Sequence, residues 1–84
     1  SPGERAEAPR LRAVLLRVAD GLRAGDDPAA LEAEAVATLS AHGWQPDYVA
    51  VRDRATLADP APDRPRVVLG AARLGATRLI DNVE

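Results

Sequence analysis

The sequence predicts an α+β fold in which two helices pack on a small three-stranded antiparallel β-sheet, in the order ααβββ. In the first half, apolar residues recur at helical spacing, whereas the second half contains runs rich in β-branched residues. A Gly-Ala pair separates the last two apolar runs and is typical of a two-residue hairpin turn. The 84 residues predict one domain, residues 1–84, with a modest core.

The N-terminal segment predicts a helix that a proline interrupts. Ser1, with Glu4 three residues later, fits a capping box, and Pro2 fits the first position of a helix. Because Pro9 lacks a backbone N–H, we expect a short first piece and then a main helix from about Pro9 to about Ala24. One stripe of this helix is apolar and should face the core: Leu11, Val14, Leu15, Val18 and Leu22.

A second helix is predicted after Asp27, a residue suited to capping, and Pro28, which suits the first helical turn. Gly43 ends this helix. Its inner stripe consists of Leu31, Ala35, Thr38 and Leu39, with Val36 on the flank.

Three strands follow. Residues 48–52 are rich in β-formers and predict the first strand, and residues 66–74 predict a long second one. Residues 54–64 contain two prolines and predict an irregular loop, with one helical turn near residues 55–57. The last strand covers residues 77–83.

The Gly75-Ala76 pair predicts a type II′ turn, and this turn sets the register of the hairpin. The predicted pairs are Leu74 with Thr77, Arg73 with Arg78, Ala72 with Leu79, and Ala71 with Ile80. One face of the sheet then carries Val68, Gly70, Ala72, Leu74, Leu79 and Val83. The other face carries Val67, Leu69, Ala71 and Ile80 together with the two arginines. Two helices can fully cover only one of these faces, so the other should meet a neighbouring domain or a second copy.

Composition narrows the possible functions. The chain has no cysteine, which excludes a disulfide framework and a thiolate zinc site. Its formal net charge of −2 gives no basic footprint for nucleic acid, and no run of 18 apolar residues could span a membrane. No signal peptide is apparent. Because the chain does not begin with Met, we expect its start to be a cut within a longer protein.

Residues able to do chemistry are few, and each has a structural interpretation. We expect His42 to complement the dipole at the end of a helix rather than to catalyse a reaction. Asp26 and Asp27 could suggest a metal, but a turn and a helix cap explain them better. Trp44 and Tyr48 could stack on a base, yet we expect both to anchor the corner between helix and strand.

Arg73 and Arg78 are predicted to face each other, and directly opposed like charges destabilise a sheet. A carboxylate partner or a bound anion would offset this repulsion. We favour a simpler interpretation, in which both side chains splay into water. Asp81 and Asn82 could touch a ligand, but we expect them to accept backbone N–H groups and fix the chain end.

The C-terminal stretch GAARLGATRLIDNVE resembles the last strand pair of the pantothenate synthetase family, also called pantoate–β-alanine ligases. Residues 47–53 resemble the strand that this family places before a variable, proline-containing loop. Residues 1–6 resemble the opening of the family's C-terminal domain. The resemblance covers nearly the whole chain in the expected order.

This resemblance implies a larger N-terminal Rossmann-like catalytic domain in the parent protein. That domain would use ATP and Mg²⁺ to activate pantoate as a pantoyl-adenylate, which β-alanine attacks to give pantothenate and AMP. The family's His-x-Gly-His signature and Ser-Ser-Arg phosphate loop belong to that domain and are absent here. We therefore assign no catalytic, cofactor-binding or metal-binding residue, and expect the isolated chain to be inactive and to bind no cofactor.

The resemblance also implies that the chain is a lid hinged over the active site of a cytoplasmic, homodimeric enzyme. Closure would exclude water and protect the adenylate from hydrolysis. We expect the face that carries Arg73 and Arg78 to approach the catalytic domain. Two alternatives remain open: a stand-alone interaction or dimerisation module, and a small anion- or nucleic-acid-binding domain, which the net charge disfavours.

Overall fold

A computed structural model describes residues 2–84. The elements are α1 (Pro2–Glu7), α2 (Arg10–Arg23), α3 (Pro28–Ala41), β1 (Gln45–Asp53), β2 (Arg66–Leu74) and β3 (Thr77–Val83). The predicted ααβββ fold is confirmed, with α1 as the short piece before the first main helix. The capping box rests on Ser1 and on the side chain of Glu4, which lie outside what the structure describes.

The two main helices begin and end close to their predicted positions. Pro9 is the N-cap of α2 and Ala24 its C-cap. The carboxylate of Asp27 caps α3 by accepting a hydrogen bond from the backbone N–H of Ala30 at 3.0 Å. Both helices pack on one face of the sheet, the inner face.

The core lies between this inner face and the helices. Every apolar residue predicted for the stripe of α2 is buried. In α3 the prediction holds for Leu31, Ala35 and Leu39, which are buried. It is wrong for Thr38, which is only half-buried, because its hydroxyl donates a hydrogen bond to the carbonyl of Glu34 on the helix surface.

Helix α2 approaches the central strand most closely at Gly70. A Cβ atom at this position would lie 2.8 Å from Cδ2 of Leu15 and 3.3 Å from Cδ1 of Leu11. Glycine therefore allows the helix to sit directly on the sheet, with Leu15 fully buried against it.

The sheet has the strand order β1-β2-β3 and is antiparallel throughout. All four predicted hairpin pairs are confirmed. Gly75 has a φ angle of 61°, and Ala76 does not have a positive φ. A type I′ turn would require positive φ at both residues, so the predicted type II′ turn is confirmed.

The first strand is longer than predicted, because it begins at Gln45 rather than at Tyr48 and ends at Asp53. Pro46 lies within it, which is possible because β1 is an edge strand. The pairing with β2 shifts between Pro46 and Tyr48, which leaves Asp47 as the extra residue of a bulge.

The loop between β1 and β2 is anchored by the carboxylate of Asp53, which is only 4% exposed. Its Oδ1 accepts hydrogen bonds from the backbone N–H groups of Ala55 and Thr56, at 2.9 and 3.0 Å. Its Oδ2 accepts one from Nε of Arg64 at 2.5 Å. The single turn predicted near residues 55–57 is present and is closed by a 2.8 Å bond from the N–H of Leu57 to the carbonyl of Asp53.

These bonds make the stability of the fold depend on pH. The hydrogen bond from Arg64, followed by those from the two backbone N–H groups, lowers the pKa of Asp53 to about 2. Because the carboxyl has its ordinary pKa of about 4 in the unfolded chain, its contribution is fully present above that pH. It is lost as the pH falls toward 2.

The substitution Asp53→Asn is therefore expected to lower the melting temperature by several degrees at pH 7, and by progressively less between pH 4 and pH 2. Thermal unfolding of both chains across this range measures the difference. Asp20→Asn is the control, since it removes an exposed ion pair with Arg23 and should change little at pH 7. A deficit for Asp53→Asn that stays constant down to pH 2 would contradict the assignment.

Candidate functional site

The sheet presents a second face, the outer face, on the side opposite the helices. The register places its side chains in three rows that cross all three strands, followed by the pair of Arg52 with Val67. These rows are Gln45, Arg73 and Arg78; Tyr48, Ala71 and Ile80; and Ala50, Leu69 and Asn82. Ala71 and Val67 are buried on this face, outside the core that the inner face forms with the helices.

The middle row is apolar and remains accessible at both ends. Ile80 is 65% exposed and Tyr48 is 42% exposed, on either side of the buried Ala71. With Ala50 and Leu69 of the next row, these residues form the outer apolar strip, which crosses all three strands. Large apolar side chains grouped in this way typically mark a surface that meets another body.

Tyr48 does not anchor the helix-to-strand corner, so that prediction is wrong. The sequence did contain a signal, because side chains alternate along a strand and Tyr48 therefore points away from the face that carries Val49 and Val51. The structure buries these two valines and leaves Tyr48 on the outer face. Trp44 does anchor the corner, as predicted, and is only 3% exposed. Its indole N–H donates a hydrogen bond to Glu7, a partner that the sequence did not predict.

The two arginines differ in their surroundings. Nε of Arg78 lies 2.8 Å from Oδ2 of Asp47, so it forms an ion pair and does not splay freely into water. The bulge in β1 brings Asp47 to this position, which a strand starting at Tyr48 could not have suggested. Arg73 is exposed, and among the side chains that the structure describes no carboxylate lies within 4 Å of its guanidinium. The guanidinium of Arg73 therefore places a positive charge beside the outer apolar strip.

Asp81 has the structural role that the sequence predicted. Its Oδ1 accepts a hydrogen bond from the backbone N–H of Asn82 at 2.8 Å. Both of its carboxylate oxygens also accept bonds from the guanidinium of Arg12, at 3.0 and 3.1 Å. The pair fixes the end of β3 to α2.

Both edges of the sheet are partly closed by the chain itself. On β1, the backbone N–H of Val51 donates to a carboxylate oxygen of Glu32 at 2.7 Å, and that of Asp53 donates to the carbonyl of Ala58 at 2.9 Å. On β3, the N–H of Asn82 is bonded to Asp81. Side chains that occupy edge donors hinder strand addition, so the outer face offers a better contact surface than either edge.

The model of the family described as pantoate-beta-alanine ligase matches residues 1–84, which is the whole chain. The chain belongs to the pantoate–β-alanine ligase family. The resemblance carried by the C-terminal hairpin is thereby confirmed, and ligation of pantoate with β-alanine is the activity for which the family is named.

The acidic side chains that the structure describes in this pantoate–β-alanine ligase chain are not grouped to hold Mg²⁺. Among the side chains that the structure describes, no group of three or more His, Asp or Glu residues is placed to hold a metal ion. Asp27 is engaged as a helix cap, and Asp53 is engaged by the loop that it anchors.

The remaining candidate is His42, which is exposed and is the C-cap of α3, where the sequence placed it. Its Nδ1 lies 2.9 Å from the carbonyl oxygen of Thr38. A carbonyl can only accept, so Nδ1 must carry the proton in this contact.

In the part of the ligase chain that the structure describes, no helix is long and apolar enough to cross a membrane.

Proposed function

We propose that this chain is the C-terminal lid domain of a homodimeric ligase that condenses pantoate with β-alanine through a pantoyl-adenylate. ATP and Mg²⁺ act on an N-terminal catalytic domain, and the lid is not catalytic by itself. The observation that carries the proposal is the outer apolar strip, beside the exposed Arg73, on a chain matched along its whole length to this ligase family.

The lid acts by contact rather than by chemistry. On closure the outer apolar strip packs against the catalytic domain, and the guanidinium of Arg73 meets an acidic or anionic group there. Burial of Ile80 and Tyr48 removes apolar surface from water, which favours the closed state. A closed lid excludes water from the active site, so the activated acyl group reacts with β-alanine instead of being hydrolysed.

The second candidate is a stand-alone module that dimerises, and the same apolar strip favours it. A dimer formed by joining sheet edges is disfavoured by the bonds that Glu32 and Asp81 make to edge donors. A dimer would therefore have to form face to face through Ile80 and Tyr48. Mass measurements on the isolated chain test this arrangement directly.

Ile80→Asp in the full-length ligase is expected to lower kcat/KM for pantothenate formation by at least about tenfold. A carboxylate buried in an apolar contact without a partner costs more than the ~1.4 kcal/mol that corresponds to this factor. The ratio of AMP formed to pantothenate formed should rise, because the adenylate meets water. Steady-state assays of both products measure the two effects.

Leu16→Asp is the matched control. Leu16 is 45% exposed, but it lies on α2, which packs against the inner face. This variant should keep the wild-type kcat/KM, and both variants should melt close to the wild-type chain. Equal activity of Ile80→Asp and Leu16→Asp would contradict the lid. A wild-type chain that sediments at twice its 8.8 kDa mass, with Ile80→Asp monomeric and fully active, would favour the dimer instead.

A further inference from the structure

The carboxylate of Glu7 joins three parts of the fold: the end of α1, the start of α2 and, 37 residues away, the indole of Trp44. Its Oε1 accepts hydrogen bonds from Nε1 of Trp44 at 3.1 Å and from Nε of Arg10 at 2.6 Å. Its Oε2 accepts a further bond from Nη2 of Arg10 at 3.0 Å. The last residue of α1 is thereby connected to the start of α2 and to the corner between α3 and β1.

The corner itself is buried and hydrogen-bonded. Trp44 is 3% exposed within the core cluster. Its backbone N–H donates to the carbonyl of Leu39 at 3.0 Å, which fixes the chain as it leaves α3. The indole N–H therefore has a fixed direction, and Glu7 is the acceptor in that direction.

Few other side-chain contacts hold the part of α1 that the structure describes. This helix comprises six residues, and a helix of this length is unstable in water without tertiary contacts. Among the α1 side chains that the structure describes, those of Arg5 and Ala6 are exposed, and only that of Glu7 is partly buried. Among the contacts that the structure describes, the hydrogen bonds of Glu7 are therefore the main attachment of α1 to the rest of the domain.

The charge of Glu7 persists at every physiological pH. The hydrogen bonds from Arg10 first, and from Trp44 second, lower its pKa to about 2. Ionised acceptors make stronger hydrogen bonds than neutral ones, so this attachment does not depend on changes of pH in the cell.

We infer that Glu7 is a positioning residue whose hydrogen bonds latch α1 to the α3–β1 corner. This latch fixes the orientation of the lid relative to the catalytic domain. The inference rests on the proposed function, in which the catalytic domain precedes α1. When Glu7 is bonded to Trp44, α1 and the sheet move as one body, and the outer face keeps its orientation toward the active site. Without these bonds, α1 pivots at Ala8 and Pro9, and the lid closes in the wrong orientation more often.

The latch can be observed in the chain itself, because Trp44 is its only tryptophan and gives a single indole N–H resonance. Glu7→Ala is expected to speed hydrogen exchange of this N–H by at least about tenfold, while the amides of β2 stay protected. Glu7→Gln should have a smaller effect, because its amide oxygen can still accept from the indole. Unchanged indole exchange in Glu7→Ala overturns the latch.

Asp20→Ala is the matched control for both experiments. Asp20 and Arg23 form a pair with the same spacing and the same 2.6 Å distance as Glu7 and Arg10, but the pair is fully on the surface of α2. Neither the indole exchange nor the activity of the ligase should respond to its loss.

In the full-length ligase, Glu7→Ala is expected to lower kcat about tenfold with little change in KM, and Glu7→Gln should restore part of the loss. Ile80→Asp, assayed alongside, separates the two proposals. If Ile80→Asp loses activity and Glu7→Ala does not, the lid stands and the positioning role of Glu7 is overturned. If both keep full activity, the lid itself is wrong.

Discussion

Leu15→Ala is expected to lower the free energy of unfolding by about 2–5 kcal/mol. Leu15 is 0% exposed and packs against Gly70 at the point where α2 comes closest to the sheet. Removing three carbons there loses the free energy gained by burying them. It also leaves a cavity, because the surrounding structure can relax only partly to fill it. An 84-residue domain has a total stability of only about 4–13 kcal/mol, so much of the chain should unfold at moderate urea.

Urea denaturation followed by the fluorescence of Trp44 measures this loss as a fall in the midpoint concentration. The neighbouring residue supplies the control, since Leu16 is 45% exposed and Leu16→Ala should cost about 0.5 kcal/mol or less. Similar losses for the two variants would mean that the packing of α2 on β2 is not the main source of stability.

The hairpin could be predicted in full from the sequence because its register depends on two adjacent residues. Gly75 permits the positive φ of the turn, and every pair from Leu74 to Ile80 follows by counting. Helix α2 could be predicted equally well from the sequence. Only one orientation of the helix places its stripe of five apolar residues against a core.

The contacts of β1 could not be predicted in the same way. Its register with β2 is set across a loop of 12 residues and a bulge, neither of which has a local signature that fixes the pairing. The partner of Arg78 was therefore unknown until the bulge placed Asp47 beside it. Glu7 and Trp44 are 37 residues apart and meet only through the packing of α1 on the corner, so no periodicity could link them.

The outer face could be predicted in part from the sequence. Alternation along β2 and β3 placed Ala71 and Ile80 together on it, as the structure has them. The same alternation in β1 would have added Tyr48, but the rarity of aromatic residues in the chain favoured placing it in the core. Binary patterning was the better guide here than composition.

Gly70→Ala is expected to cost about 1–3 kcal/mol in the wild-type chain, because the added methyl group overpacks the interface between α2 and β2. Its Cβ would lie 2.8 Å from one Cδ atom of Leu15 and 3.3 Å from the other. Although these are the far ends of a flexible side chain, Leu15 is fully buried, and Leu11 occupies the adjoining space at 3.3 Å. The side chain therefore has no open volume into which it could turn.

The sign of this effect should reverse in the Leu15→Ala background. There the obstructing carbons are gone, and the new methyl group fills part of the cavity that their removal created. Alanine also loses about 0.5–1 kcal/mol less backbone entropy than glycine on folding. The double variant should consequently be at least as stable as Leu15→Ala alone, with a coupling energy of about 1–3 kcal/mol from the four urea midpoints. An equal cost of Gly70→Ala in both backgrounds would show that Leu15 is not the obstacle and that glycine is required at this position for a reason other than the close approach of α2.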